Sequence, residues 1–189
     1  MSPLPVAQTD QVVALANALS EKNTPPSSFD LARLDREIRR LADTDPAASQ
    51  CFRGVYYALQ GDLANTTKWF NMALSLAPNH PYVYLNYAFA LNRLGQHEQA
   101  VKMALESINK GGYSPETLSN LLVYAYNADD RATLDEWLLK YAKLTGSPHE
   151  IVSWLQEDAE DEAELPAILK EAEKEGYVPL SKIKEELGL

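Results

Sequence analysis

The chain has 189 residues, 46% of them hydrophobic and 23% charged, enough apolar material for one compact domain or a short solenoid. Its formal net charge is −10, which repels nucleic-acid phosphates and anionic lipid headgroups and removes both as primary partners. One cysteine, Cys51, excludes an internal disulfide and a multi-cysteine zinc site. The opening MSPLPVAQTD has neither the basic nor the apolar region of a secretory signal, and no apolar run approaches the roughly 20 residues of a membrane span, so a cytoplasmic protein is expected.

In chain order, Thr9 or Asp10 is placed to cap a helix carrying Val12, Val13, Leu15, Ala18 and Leu19. The loop KNTPPSSFD follows, and Ser28 or Asp30 starts a second helix carrying Leu31, Leu34, Ile38 and Leu41. Residues 1–46 thus form an N-terminal helical pair or cap, closed by Asp45-Pro46. From there the chain repeats. Ala47, Pro81 and Pro115 lie 34 residues apart, and each opens a unit with the same pattern.

The first unit, 47–80, has Gly54 where two helices must approach, Tyr57 three residues later, and Gly61-Asp62 as a tight turn. Phe70, Ala73 and Pro78 lie on and after the second helix. A small residue lets helix axes close up, glycine accepts the turn's backbone angles, and proline stops the helix. The second unit, 81–114, keeps Tyr84, Tyr87-Ala88, Leu91, Gly95 and Ala100, with Gly111-Gly112 ending its second helix. The third, 115–148, keeps Leu118, Leu121, Leu134, Leu138 and Leu144. Bulky Leu122 stands at its small position and Asp129-Asp130 replaces Gly-Asp.

These residues resemble the tetratricopeptide repeat. The resemblance implies an all-α fold: a right-handed solenoid of antiparallel helix pairs with helical caps at both ends. Gln50, Arg53 and Thr66 depart from the family's preferences, which predicts imperfect packing on the N-terminal side of the first unit. Trp69 and Trp137 share a place on the second helix, where half-burial under a neighbour is expected. Residues 149–189 read as a C-terminal helical cap: a helix with Ile151, Val152, Trp154 and Leu155, an acidic stretch from Glu157 to Glu164, Pro166, a short helix from Ile168-Leu169 to Gly176, and an amphipathic end with Leu180, Ile183 and Leu187.

No catalytic constellation is present in the sequence, and a non-enzymatic protein with no cofactor is expected. His80, His97 and His149 fall at unit boundaries or the inter-helix turn, where they should face water. Neither His97-Glu98 nor His149-Glu150 has a second histidine at metalloprotease spacing. Cys51 lacks a partner base and reads as a semi-buried thiol. The acidic stretch lacks calcium-loop spacing and reads as a solvated face.

In the resembled family the first helix of each pair lines a concave groove. The resemblance places Cys51, Phe52 and Val55 there from the first unit, then Tyr82, Leu85, Asn86, Phe89, Asn92 and Arg93, then Glu116, Ser119, Asn120, Val123, Tyr126 and Asn127. Asn86 and Asn120 recur at the place where peptide-binding members hold a ligand backbone, a task suited to a carboxamide that both donates and accepts. The lysines of a carboxylate clamp are missing. The implied partner is another protein, bound through an extended or apolar segment, with a basic one favoured by the negative charge. The leading expectation is an adaptor or chaperone, similar in architecture to chaperones of secretion-system translocators. The alternatives are an immunity or antitoxin protein that neutralises a basic effector, and a helical regulatory subunit of an enzyme.

Overall fold

The computed structural model describes residues 6–20, 24–152 and 154; the sequence features expected from Leu155 to Leu187, including the acidic stretch and the last helices, lie outside them. Eight helices follow one another with no strand among the described residues: α1 (Val6–Ser20), α2 (Ser28–Leu41), α3 (Pro46–Ala58), α4 (Leu63–Leu76), α5 (Pro81–Arg93), α6 (His97–Asn109), α7 (Pro115–Asn127) and α8 (Arg131–Thr145). They belong to two compact units, 1–112 and 113–189.

The helix boundaries repeat because their signals do. Pro46, Pro81 and Pro115 begin α3, α5 and α7, where a fixed φ favours the first turn and the missing N–H costs nothing. Asp45, Asp62, Ser114 and Asp130 cap their helices, each accepting a backbone N–H three residues on. Of the two N-terminal helices, α2 starts at Ser28 as expected, whereas α1 starts ahead of its expected cap. Val6 opens α1, which puts Thr9 and Asp10 inside the helix, and Ser27 caps α2 by accepting the Asp30 N–H at 3.1 Å.

The turn inside each pair is also the same. Gly61 and Gly95 have φ of 77° and 72°, and the N–H groups of Asp62 and Gln96 reach back to the carbonyls of Tyr57 and Leu91 at 3.0 and 2.9 Å. In the third pair Asp129 takes the same left-handed turn at φ 53°, and Asp130 N–H reaches the Ala125 carbonyl at 2.9 Å. The hydrogen-bond pattern outlives the glycine.

In the first unit α1 packs on α2 and α3, α2 on α3, α3 on α4 and α5, and α4 and α6 on α5. At its centre, Phe70 of α4 is completely buried between Gly54 of α3 and Tyr87 of α5. Tyr87 stacks on Phe70 with ring centroids 4.5 Å apart and planes 11° from parallel. The N-terminal side of α3 is better satisfied than its departures from the repeat pattern suggest. Arg53 pairs with Asp35 of α2, and Thr66 is fully buried with its hydroxyl donating to the Asp62 carbonyl at 2.7 Å. Ser49, also buried, donates to the Ile38 carbonyl at 2.9 Å. Only Gln50 fits the expectation of poor packing, since its Oε1 is buried without a partner.

In the second unit α7 pairs with α8, and Leu118, Leu121, Leu122 and Leu134 form the core. Leu122, in place of the small residue, is completely buried in this core. Trp137 is nearly buried with the Lys140 ammonium 3.8 Å from its ring centroid, and Trp69 is half-buried beneath Arg53 and Lys68.

Candidate partner-binding surface

Positions two, six, nine and thirteen of each unit advance by four, three and four residues, so on a helix they share one face. On α3 this face carries Ala48, Phe52, Val55 and Leu59, and it is closed. Phe52 is 7% exposed, Val55 2% and Leu59 5%. They belong to the core of the first unit, against which α1 packs, and offer almost no surface to another molecule. Neighbouring Cys51 is fully rather than half buried. Burial pushes its thiol up to about 12, with the Asp45 charge adding to the effect, so the nucleophilic thiolate is suppressed.

On α5 the same face carries Tyr82, Asn86, Phe89 and Arg93, and it is open. Tyr82 is 62% exposed, with its ring 5.9 Å from that of His80. Asn86 is half-buried and its Nδ2 donates to the Tyr82 carbonyl one turn back at 2.8 Å, which leaves Oδ1 as an acceptor. Phe89 is half-buried. Arg93 is exposed and donates to the Ser20 carbonyl, at the end of α1, at 3.3 Å. Asn92 beside it lies 2.8 Å from His97 Nδ1, and Leu85 is buried.

On α7 the face carries Glu116, Asn120, Val123 and Asn127. Glu116 and Asn127 are exposed, and Asn120 and Val123 are half-buried. The flank of this helix is occupied by the chain that follows α8. Tyr126 packs against Trp154 with ring centroids 5.5 Å apart, and Ser119 meets His149 Nε2 at 2.7 Å. His149 does not face water: it is 4% exposed. Its Nδ1 accepts the Ile151 N–H at 3.1 Å, so Nε2 holds the proton and donates to the Ser119 hydroxyl. The Tyr141 ring, edge-on to the imidazole with centroids 4.8 Å apart, completes the enclosure. Burial holds this imidazole below its usual range, with Glu150 opposing the shift. A signal for this contact stands in the sequence. Counting 34 residues from Pro115 reaches His149, so Ile151, Val152 and Trp154 begin the place of another first helix.

Chemically, these surfaces offer aromatic rings, carboxamides and one guanidinium, a set suited to holding a polypeptide. No cluster of three potential metal ligands occurs among the described residues. No helix among them is long and apolar enough to cross a membrane.

Residues 69–102, one full period of 34, match the tetratricopeptide repeat family. No curated protein sequence matches the chain. Among solved structures, the chain is similar to PilF of Pseudomonas aeruginosa, with a TM-score of 0.60 at 17% identity, over 95% of this chain and 74% of that one. The matched stretch runs from Trp69 in α4 through α5 to Lys102 in α6 and includes the Gly95 turn. Sequence match, repeating turns and fold agree: residues 69–102 match a tetratricopeptide repeat, within a chain whose helix-pair fold is similar to that of PilF.

Proposed function

We propose that this protein is a non-enzymatic adaptor or chaperone that holds an extended segment of a partner polypeptide along the first-helix face. The observation that carries the reading is the contrast on α5. Val83, Tyr87, Ala88 and Leu91 are buried, whereas Tyr82, Asn86, Phe89 and Arg93 line up at four-three-four spacing and keep surface. Aromatic side chains on such a face supply contact area at low entropic cost, and a carboxamide pairs with a peptide unit whatever side chain the ligand bears. Asn120 and Val123 on α7 repeat the combination of amide and apolar neighbour 34 residues later.

The binding face takes an internal or apolar segment rather than a C-terminal carboxylate. The positions a carboxylate clamp needs hold Cys51, Tyr82, Leu85, Glu116 and Ser119, with no lysine among them. The test is capture on immobilised protein, with the captured partner then titrated against wild type and against Tyr82→Ala and Asn86→Ala. Weakened binding by both variants with unchanged circular dichroism supports the reading. Equal affinity for all three overturns it.

A further inference from the structure

The exposed side of α2 carries charge opposite to that of the whole protein. Arg33, Arg36, Arg39 and Arg40 lie within fourteen residues of a chain whose net charge is −10. Two carboxylates of α2 serve Arg36, Arg39, Arg40 and Arg53. Asp35 accepts from Arg39 Nε at 2.8 Å and pairs with Arg53, while Glu37 accepts from Arg40 Nη1 at 2.9 and 3.0 Å and lies 3.7 Å from Arg36 Nε. The carboxylates sit low. The Glu37 side chain is 9% exposed and that of Asp35 20%, against 63%, 73% and 59% for Arg36, Arg39 and Arg40. The positive groups therefore stand outermost, around an open depression of about 590 Å³ that Asp35 and Asp43 also border.

A purely structural role explains only part of this. Arg39 and Arg40 complement the carbonyl end of the helix and bridge along it, and such exposed pairs add little to stability. Arg33 and Arg36 lie outside that last turn. Among the described residues Arg39 bonds through Nε and Arg40 through Nη1, and the remaining guanidinium N–H groups suit the two-pronged geometry that arginine offers a carboxylate.

The matching ligand chemistry is in the same chain. Residues 157–164 read EDAEDEAE, six carboxylates in eight positions with no positive charge. We propose that the arginine face of α2 docks the acidic stretch 157–164 of a second copy of this protein. One copy gives arginines and the other carboxylates, so the interface is heterologous, and association builds rings or open chains unless the geometry closes at two. A nucleic acid is the poorer occupant, because a long polyanion would have to cross the remaining negative surface.

Complementation tests this with the full chain. One variant carries Arg36→Ala, Arg39→Ala and Arg40→Ala; the other carries Glu157→Gln, Asp158→Asn, Glu160→Gln, Asp161→Asn, Glu162→Gln and Glu164→Gln. In sedimentation velocity across a concentration series, wild type self-associates and each variant alone stays monomeric with wild-type circular dichroism. Mixed together the two form a one-to-one dimer, because each retains the half the other lacks. A monomeric wild type, self-association that survives in either variant, or a mixture that stays monomeric overturns the proposal. An oligonucleotide that binds wild type and displaces the second copy from the arginine face overturns the choice of occupant.

Discussion

Two ring carbons of Phe70 lie 2.5 Å from the point where a Cβ on Gly54 would stand, and the same ring is stacked on Tyr87. The glycine is there for space, since a methyl group would force the fully buried Phe70 ring to shift. Gly54→Ala is expected to lower stability despite alanine's advantage of about 1 kcal/mol in a helix, because overpacking costs about 1–3 kcal/mol. Combining it with Phe70→Leu should cost less than the sum of the two single changes. Urea melts of the four proteins measure the coupling, and additivity would mean the contact is not the reason for the glycine.

The Gly54–Phe70 contact is legible in the amino-acid sequence, since a small residue and an aromatic sixteen positions apart are the repeat's own packing signal. So are the starts of α3 and α7, because proline and a capping side chain act locally at each of them. Long-range partners are not. Nothing near Arg53 in sequence announces Asp35, eighteen residues earlier, and the 34-residue period that reaches His149 marks the start of another first helix without naming Ser119 as its partner. The binding face divides in the same way. Periodicity names the positions on each first helix, but whether a position is open depends on what packs over it. Phe52 and Val55 are closed for that reason, while Tyr82 and Phe89 keep surface.

At Asp129 the third turn adopts φ 53° with a residue that has a Cβ, where its counterparts Gly61 and Gly95 have none. Left-handed backbone costs an ordinary L residue about 1–2 kcal/mol, less for aspartate, and no side-chain cap depends on Asp129, since Asp130 caps α8. Asp129→Gly should therefore raise stability by about 0.5–1 kcal/mol, after allowing for the freer unfolded chain. The same measurement on Gly61→Ala should show a loss. A third turn that gains nothing from glycine would show that its strain is relieved elsewhere.

His149 gives the fold a defined response to acid. In the folded protein its imidazole is buried and uses Nδ1 as an acceptor, so protonation removes the hydrogen bond from Ile151 N–H. The unfolded chain takes up that proton near the usual value of about 6.5, whereas the folded chain does so only at lower pH. Between those values the unfolded state binds more protons, so stability is full above pH 6.5 and falls as pH drops toward the folded value. Denaturant midpoints between about pH 8 and 5.5 should decline for wild type and change much less for His149→Leu, which starts lower. Equal slopes would assign the acid response to other groups.

The central claim is that the open first-helix faces, that of α5 in the first unit and that of α7 in the second, each contact a partner polypeptide, and Asn86→Ala and Asn120→Ala, made singly and together, test it most directly. In the free protein Asn86 bonds only to its own helix and Asn120 is half-buried, so the pair of changes should alter stability by about 0.5 kcal/mol or less per site. On the proposed reading each carboxamide faces a peptide unit of the partner, and its loss strands a donor and an acceptor at about 1–3 kcal/mol per site. Calorimetric titration of the captured partner should then show affinity lower by about a hundredfold, with an unchanged thermal melt. Unchanged affinity beside an unchanged melt would contradict the account and move the binding site off these helices.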